Sequence, residues 1–312
     1  MNEISAVSPR FCFDHRDLLD LIAEFGPYMG RYIANCPANW KRELLDHLAE
    51  IGPLEKSRVA QLLNPYNDGG IDAALLSMNY PYDRDFSWTE NIRRLREKHR
   101  FDHIIADAYE PDEFGTWQDQ LSQFRATRHR SQRLHGKTGE YISIIRPLLT
   151  KGPAAFFIDP YFRPIDPPSV QLIQKIFENI ANSSCYQINF YVRGIKALSE
   201  STKRGFTQQS LSFDEYKYRT IASLSNVVQR HRGKSLTINL VDDAIKSPEL
   251  HNRFFLTKTG ALDFGKGFQK FDYETAQIPV HIVDREVHHM LVEQYIDSKA
   301  KFREIDTITI PS

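Results

Sequence analysis

A stretch near the C-terminus, LHNRFFLTKTGALDFGKGF, combines a histidine, an arginine, a lysine and two glycines. If the residues from His251 onward form a strand, His251 and Arg253 project from the same face, because side chains alternate along a strand. Arginine offers a fixed fork of donors suited to a phosphate, and histidine can attack phosphorus or donate a proton. Gly265 and Gly267, on either side of Lys266, let the backbone approach a ligand closely. The pattern predicts a phosphate-handling site.

Polar residues also follow three predicted strands earlier in this half of the chain. Asp159, Arg193 and Asp242-Asp243 each stand where an apolar run ends. Ligands of open α/β sheets bind outside the carboxyl ends of the strands, so Asp159 and Arg193 are candidate phosphate-site residues. For Asp242 and Asp243 the capping of a turn is the favoured interpretation.

A basic stretch precedes these elements. It contains Arg125, Arg128, Arg130, Arg133 and Lys137, with two histidines and no acidic residue between its ends. Such a stretch is typical of a solvated helix face or linker, and equally of a salt-sensitive contact to nucleic-acid phosphates.

The elements that must position the site alternate between strand and helix. The predicted strands are Ala154–Asp159, Gln187–Val192, Leu236–Val241 and Pro279–Val283; the helices are Pro168–Asn182, Phe213–Arg232 and Arg285–Lys299; and a hairpin joins Arg253–Thr257 to Ala261–Phe268. This order predicts a parallel sheet extended by an antiparallel hairpin. The domains are then a mainly helical region of unknown role over residues 1–124, a basic helix or linker over 125–146, and an α/β domain over 147–312.

The stretch that begins at His251 resembles the phospholipase D superfamily motif, H-x-K-x4-D-x6-G-S-x-N. The histidine and Gly265 match, Arg253 stands at the lysine position, and Lys258, Lys266 and Phe268 stand where the motif has Asp, Ser and Asn. The sequence is more similar to a variant branch that reads L-H-D-R, a hairpin and G-x-G. That branch occurs in the C-terminal domain of some microtubule-interacting-and-transport proteins and in phospholipase-D-like domains of bacterial phage-defence proteins. The run FFIDPYF also resembles the first strand of those domains.

The resemblance implies a phospholipase D-like mixed sheet with flanking helices in the C-terminal half. Active members of the family bring two such histidines together, whereas this sequence has one motif. Hydrolysis with His251 as nucleophile and Arg253 as charge stabiliser therefore requires a homodimer. Loss of the Asp, Ser and Asn favours a domain that binds phosphate without hydrolysis.

Composition limits the class of protein. The 312 residues include 40 Lys plus Arg and 40 Asp plus Glu, so no global field attracts nucleic acid or membrane. The three cysteines form no zinc or disulfide pattern, and no apolar run is long enough to span a membrane. No phosphate loop or dinucleotide fingerprint is present. We therefore expect a cytoplasmic protein with no metal and no cofactor.

Three functions remain open at this point. The first is recognition of nucleic-acid phosphates, DNA or RNA, in a bacterial antiviral defence system, where the resemblance also implies a protein partner. The second is a metal-independent nuclease or phosphodiesterase that uses His251 in a homodimer. The third is a non-catalytic scaffold or adaptor, which the balanced charge favours over a dedicated DNA-binding protein.

Overall fold

The computed structural model divides the chain into two compact units, Met1–Arg130 and Ser131–Ser312. The structure describes residues 2–63, 70–77, 80–109, 113–127, 131–194, 199–200, 209–242, 252–265, 267–268, 277–297 and 302–312.

The first unit alternates helices with short strands. Its described helices are α1 (His15–Glu24), α2 (Trp40–Ile51), α3 (Pro53–Leu62), α4 (Ile71–Ala74), α5 (Trp88–Arg96) and α6 (Trp117–Ala126), and its described strands are β1 (Glu3–Val7), β2 (Arg31–Ala34), β3 (Leu75–Leu76) and β4 (His103–Ile105). Local sequence sets several helix starts. Asp14 accepts hydrogen bonds from the amides of Arg16 and Asp17 at the start of α1, and Ser87 accepts one from Glu90 at the start of α5.

The four strands form one parallel sheet in the order β3-β2-β1-β4. The prediction of a mainly helical region omitted this sheet. Strands of two to five residues are too short to show a clear twofold alternation, whereas the amphipathic helices between them have a strong periodicity. The first unit is therefore an α/β structure.

Two apolar clusters form the core of the first unit. The larger includes Phe11, Trp40 and Trp117, which are fully buried, and the ring of Phe11 contacts the rings of both tryptophans. The smaller joins Ile92 and Leu95 of α5 to Ala6 of β1 and Cys36 after β2. This second cluster fixes α5 over the sheet.

The second unit contains helices α7 (Thr138–Leu149), α8 (Pro167–Ile180), α9 (Phe213–Gln229) and α10 (Arg285–Leu291), with a π-helix (Val292–Ile296) after α10; its described strands are β5 (Ser131–Leu134), β6 (Ala154–Ile158), β7 (Gln187–Arg193), β8 (Ser199–Glu200), β9 (Gln209–Ser210), β10 (Ser235–Asp242), β11 (Phe254–Leu256), β12 (Ala261–Asp263), β13 (Ile278–Ile282) and β14 (Arg303–Pro311). Among the strands that the structure describes, β8 and β9 pair with each other alone.

The other eight strands form a mixed sheet in the order β14-β10-β7-β6-β11-β12-β13-β5. Strands β6, β7 and β10 are parallel, and the remaining pairs are antiparallel. The predicted mixed sheet with flanking helices is confirmed, including the antiparallel hairpin β11–β12. The edge strands β5 and β14 were not predicted.

The two faces of this sheet have different cores. On one face, Phe157 stacks on Phe190 with a centroid distance of 4.6 Å, and its ring also contacts Phe255 and Phe268. On the other face, Ile158 and Phe254 pack in one cluster with Leu291 of α10 and Tyr295 of the π-helix. Strand β6, which ends next to the predicted site, therefore contributes side chains to the cores on both faces of the sheet.

The basic stretch is divided between the two units, which differs from the predicted single helix or linker over residues 125–146. Arg125 lies in the last turn of α6, whereas Arg133 lies in β5. Only Leu134 is buried in β5, so this strand lacks the apolar alternation by which a sequence reveals a strand.

Candidate phosphate-binding site

The site is at the edge of the sheet where the parallel strand β6 ends. Strand β11 runs antiparallel to β6, and Phe254 is paired with Ile158. One position further along, the side chains of Arg253 and Asp159 meet, with 3.5 Å between Arg253 Nε and Asp159 Oδ1. The register of two paired strands thus brings together two residues far apart in the sequence.

The guanidinium of Arg253 is held from several sides. Its Nη1 donates a hydrogen bond to the carbonyl of Gly265 at 2.6 Å, and its Cζ lies 4.8 Å from the centroid of the Tyr161 ring. The side chain is 20% exposed, so part of it still reaches solvent. Among the described residues only Nη1 donates a hydrogen bond, while Nε is buried beside Asp159 without one, so an anion would have to meet the exposed end of the guanidinium.

Asp159 lies behind this arginine and is fully buried. Its Oδ1 accepts a hydrogen bond from the amide of Tyr161, and its Oδ2 accepts one from the amide of Phe268, both at 3.0 Å. Burial raises the pKa of Asp159, while these amides and the charge of Arg253 oppose the rise. With no exposed surface, Asp159 orients Arg253 and the glycine loop; direct contact with a phosphate is left to other groups.

Gly267 is required by its close approach to this pair. Its φ is +82°, in the left-handed region, and a Cβ there would collide with Asp159 Oδ2 and lie 2.6 Å from Arg253 Cδ. Its carbonyl also accepts a hydrogen bond from Tyr141 Oη at 3.2 Å. Gly265 makes no comparable approach, since a Cβ there would meet Pro279 at an ordinary 3.4 Å.

The described backbone amides of the glycine loop, which exclude that of Lys266, bond within the protein. Gly265 donates to Asp263 Oδ1 at 3.0 Å, Gly267 donates to the carbonyl of Phe264, and Phe268 donates to Asp159. These amides are not free to form an anion-binding nest of the kind seen in phosphate loops. An anion at this edge would therefore meet side-chain cations, of which Arg253 is the described one.

Two of the predicted site residues, His251 and Lys266, lie outside the described residues, so their roles stay predictions. The described strand begins at Phe254, and Arg253 immediately precedes it. The ladder still extends to this residue, because the amide of Phe264 donates to the carbonyl of Arg253 at 2.8 Å.

Arg193 ends β7 at the same edge as Asp159. Its amide donates to the carbonyl of Pro160 at 3.3 Å. In the paired register of β6 and β7, Phe157 and Phe190 share a face, so Arg193 belongs to the opposite face from Asp159. The structure therefore places Arg193 beside the site edge but does not bring its side chain together with Arg253. Asp242 ends β10, and Asp243 lies outside the described residues.

The described residues of the basic stretch belong to different units. Arg125 pairs with Asp20 at 2.8 Å in the first unit. In the second unit Arg133 is exposed and donates to Gln277 Oε1 at 3.2 Å, and Lys137 stands at the N-terminus of α7. Arg128 and Arg130 lie outside the described residues.

Sequence reasoning missed Tyr161 and Asp263 as members of the site. Tyr161 supplies an aromatic face to the guanidinium, and Asp263 fixes the amide of Gly265. Burial raises the pKa of Asp263, with His281 and Arg253 opposing the rise. Tyr161 follows Asp159-Pro160 directly. The proline indicates a turn at the end of the strand, and this turn could have predicted that the Tyr161 ring lies near the site.

The protein therefore has an α/β fold. In its second unit, the constrained side chain of Arg253 lies at the edge of the mixed sheet where β6 ends. No protein-family model matches the sequence, and a search of curated proteins found no match. Within the described ranges, no three side chains of His, Cys, Asp or Glu are grouped so as to hold a metal ion. None of the helices described here has both the length and the apolar composition needed to cross a bilayer.

Proposed function

We propose that the second unit recognises phosphate groups of nucleic acid through Arg253. The observation that supports this most is the constraint on the guanidinium, which is held by the Gly265 carbonyl, the Tyr161 ring and the buried Asp159. A pre-oriented guanidinium loses little conformational entropy when it binds an oxyanion, and its planar fork fits two phosphate oxygens.

Other cations of the same unit would add to this contact. Lys266 is next in sequence to the two glycines of the loop, and Arg133 and Lys137 belong to the same unit. Each phosphate that such side chains neutralise releases counterions, so binding should weaken steeply as salt rises. The resemblance to phage-defence domains makes an antiviral defence assembly our proposed setting, by analogy with that family.

Binding without hydrolysis is the form of the proposal that the described residues favour. Arg253 is engaged with Asp159 and Gly265, which suits a receptor for a phosphodiester. The nuclease alternative needs His251 from two copies of the chain, and the adaptor alternative needs no phosphate contact. Each gives a different result in the experiment below.

The test uses the full chain with labelled single- and double-stranded DNA and RNA, in EDTA, at low and high salt. We expect salt-sensitive binding that Arg253→Gln weakens about tenfold or more, since a charge-assisted hydrogen bond contributes about 1.5–3 kcal/mol. Arg253→Lys should weaken binding less, because it keeps the charge but loses the fork. Arg219→Gln is the matched control, since Arg219 is an exposed arginine on α9 of the same unit.

Other outcomes separate the alternatives. EDTA-resistant cleavage that His251→Ala abolishes would establish the nuclease. Binding that is insensitive to salt, or unchanged in Arg253→Gln while that variant remains folded, would refute the proposal. Absence of any nucleic-acid binding would favour the adaptor and direct the search to protein partners.

A further inference from the structure

The first unit has two adjoining surface depressions where α5 ends and the chain approaches β4. One has a volume of about 560 Å³ and the other about 500 Å³, and Lys98 and His99 line both. Volumes of this size are within the range of pockets that hold small ligands. The residues described above around Arg253 all belong to the second unit, so these depressions concern a different part of the chain.

Positive charge is concentrated around these depressions. Their charged lining consists of five cations and two carboxylates: Arg84, Arg94, Arg96, Lys98, Arg100, Asp83 and Glu97. The chain as a whole has a formal net charge of zero, so this excess is local. A local excess of cations attracts an anion and opposes the binding of a cation.

Part of this charge has a structural explanation. Arg94 pairs with Glu90 at 3.1 Å, and Arg96 lies 3.9 Å from Glu113. Arginines in the last turn also complement the helix dipole, so these two contribute to the stability of α5. Because Arg94 and Arg96 already have carboxylate partners, we do not assign ligand binding to them.

Three other cations are less engaged by carboxylates. Lys98 and Arg84 make no ion pair within hydrogen-bond distance among the described residues, and both are exposed, although the charge of Arg84 acts on the carboxyl of Glu43. The side chain of Arg100 is 90% exposed and lies 3.8 Å from Asp102, which is a loose contact. Lys98 lines both depressions, so its ammonium can reach an anion held in either.

Aromatic rings line the same depressions. Tyr82 lines one and Phe101 the other, and His99 lies between them. The Tyr80 ring packs edge-on against His99 at 4.6 Å and against Phe101 at 5.6 Å, which limits the movement of those rings. Flat rings beside exposed cations are the combination that binds a base together with its phosphate.

We propose that this surface binds a nucleoside phosphate, with the phosphate at Lys98 and Arg84 and the base against Tyr82. Inorganic phosphate would use only the cations, and an acidic peptide would make no use of the rings. The nucleotide is either free or the end of a single strand, and both sources share this chemistry. The site is independent of Arg253 and goes beyond the function proposed above.

The experiment titrates the full chain with a mononucleotide, a single-stranded hexanucleotide and inorganic phosphate, followed by calorimetry. It is carried out in the Arg253→Gln background as well, so that failure of one site does not mask the other. We expect nucleotide binding that Lys98→Ala weakens about tenfold, by loss of a charge-assisted contact. Lys56→Ala is the matched control, since Lys56 is an exposed lysine on α3 of the same unit.

A second variant tests the ring contact. Tyr82→Leu should weaken nucleotide binding about fivefold or more and leave phosphate binding unchanged, because stacking on a base contributes about 1–3 kcal/mol. Mononucleotide binding would identify a free nucleotide as the source, and binding of the hexanucleotide alone would identify a strand. No nucleotide binding, equal binding of inorganic phosphate, or an unchanged affinity in folded Lys98→Ala would overturn the proposal.

Discussion

At the scale of single residues, Gly267 is the most constrained position of the candidate site. We expect Gly267→Ala to lower the free energy of unfolding by about 2–4 kcal/mol, because the new Cβ meets Asp159 and Arg253 at a left-handed φ. Gly233→Ala is the control, since its φ is +76° with open space around it. There the backbone alone is strained, at about 1–2 kcal/mol. Urea unfolding of both variants measures the difference, and equal losses would contradict the close approach at Gly267.

Residue types and spacing predicted only part of this site. Arginine and glycine on one hairpin indicated a phosphate site without any knowledge of the pairing partner. The contact between Asp159 and the amide of Phe268 joins positions 109 apart, and it depends on the register between β6 and β11. Register is fixed by the packing of the whole sheet, so local sequence does not reveal it.

At the scale of elements, α10 supports the turn of the β11–β12 hairpin through one buried histidine. His288 is 1% exposed, and its Nε2 donates to the carbonyl of Thr257 at 2.9 Å. Burial lowers the pKa of His288 from its usual 6.5. As the pH falls below 6.5 the unfolded chain takes up a proton that the folded chain does not bind. We therefore expect the second unit to lose stability progressively below that pH.

The measurement is the urea midpoint above and below pH 6.5, compared with His288→Leu. The variant should lose this part of the pH dependence, and above pH 6.5 it should be less stable than the wild type by about 1 kcal/mol through the lost hydrogen bond. A pH dependence identical in the two proteins would show that His288 is not responsible.

Long elements were predictable because they show their periodicity several times over. Helix α8 and strand β7 have buried residues at regular spacing and lie within two residues of the predicted bounds. Strand β14 was not predicted. Its buried Ile308 and Ile310 alternate with threonines, and this alternation is the pattern that could have predicted it. The strands of the first unit are shorter still, so their own residues carry too little pattern to predict them from the sequence.

At the scale of the whole molecule, the two units have separate cores and different natural probes. All three tryptophans, Trp40, Trp88 and Trp117, belong to the first unit. Tryptophan fluorescence should therefore follow the unfolding of that unit alone, while circular dichroism follows both. We expect Gly267→Ala to shift the dichroism transition and leave the fluorescence transition in place. An equal shift in both signals would mean that the units unfold as one.

The eight-stranded sheet ends at β5, where a row of main-chain amides and carbonyls has no further described strand beside it. Such a row is a template on which an identical strand from another copy can add, and charged side chains discourage that addition. Arg133 lies in this strand, exposed, within the basic stretch. The same positive charge thus contributes to keeping copies of the protein apart. Concentrated salt or a bound polyanion screens this positive charge. Either should therefore accelerate the aggregation of concentrated solutions, which turbidity measures.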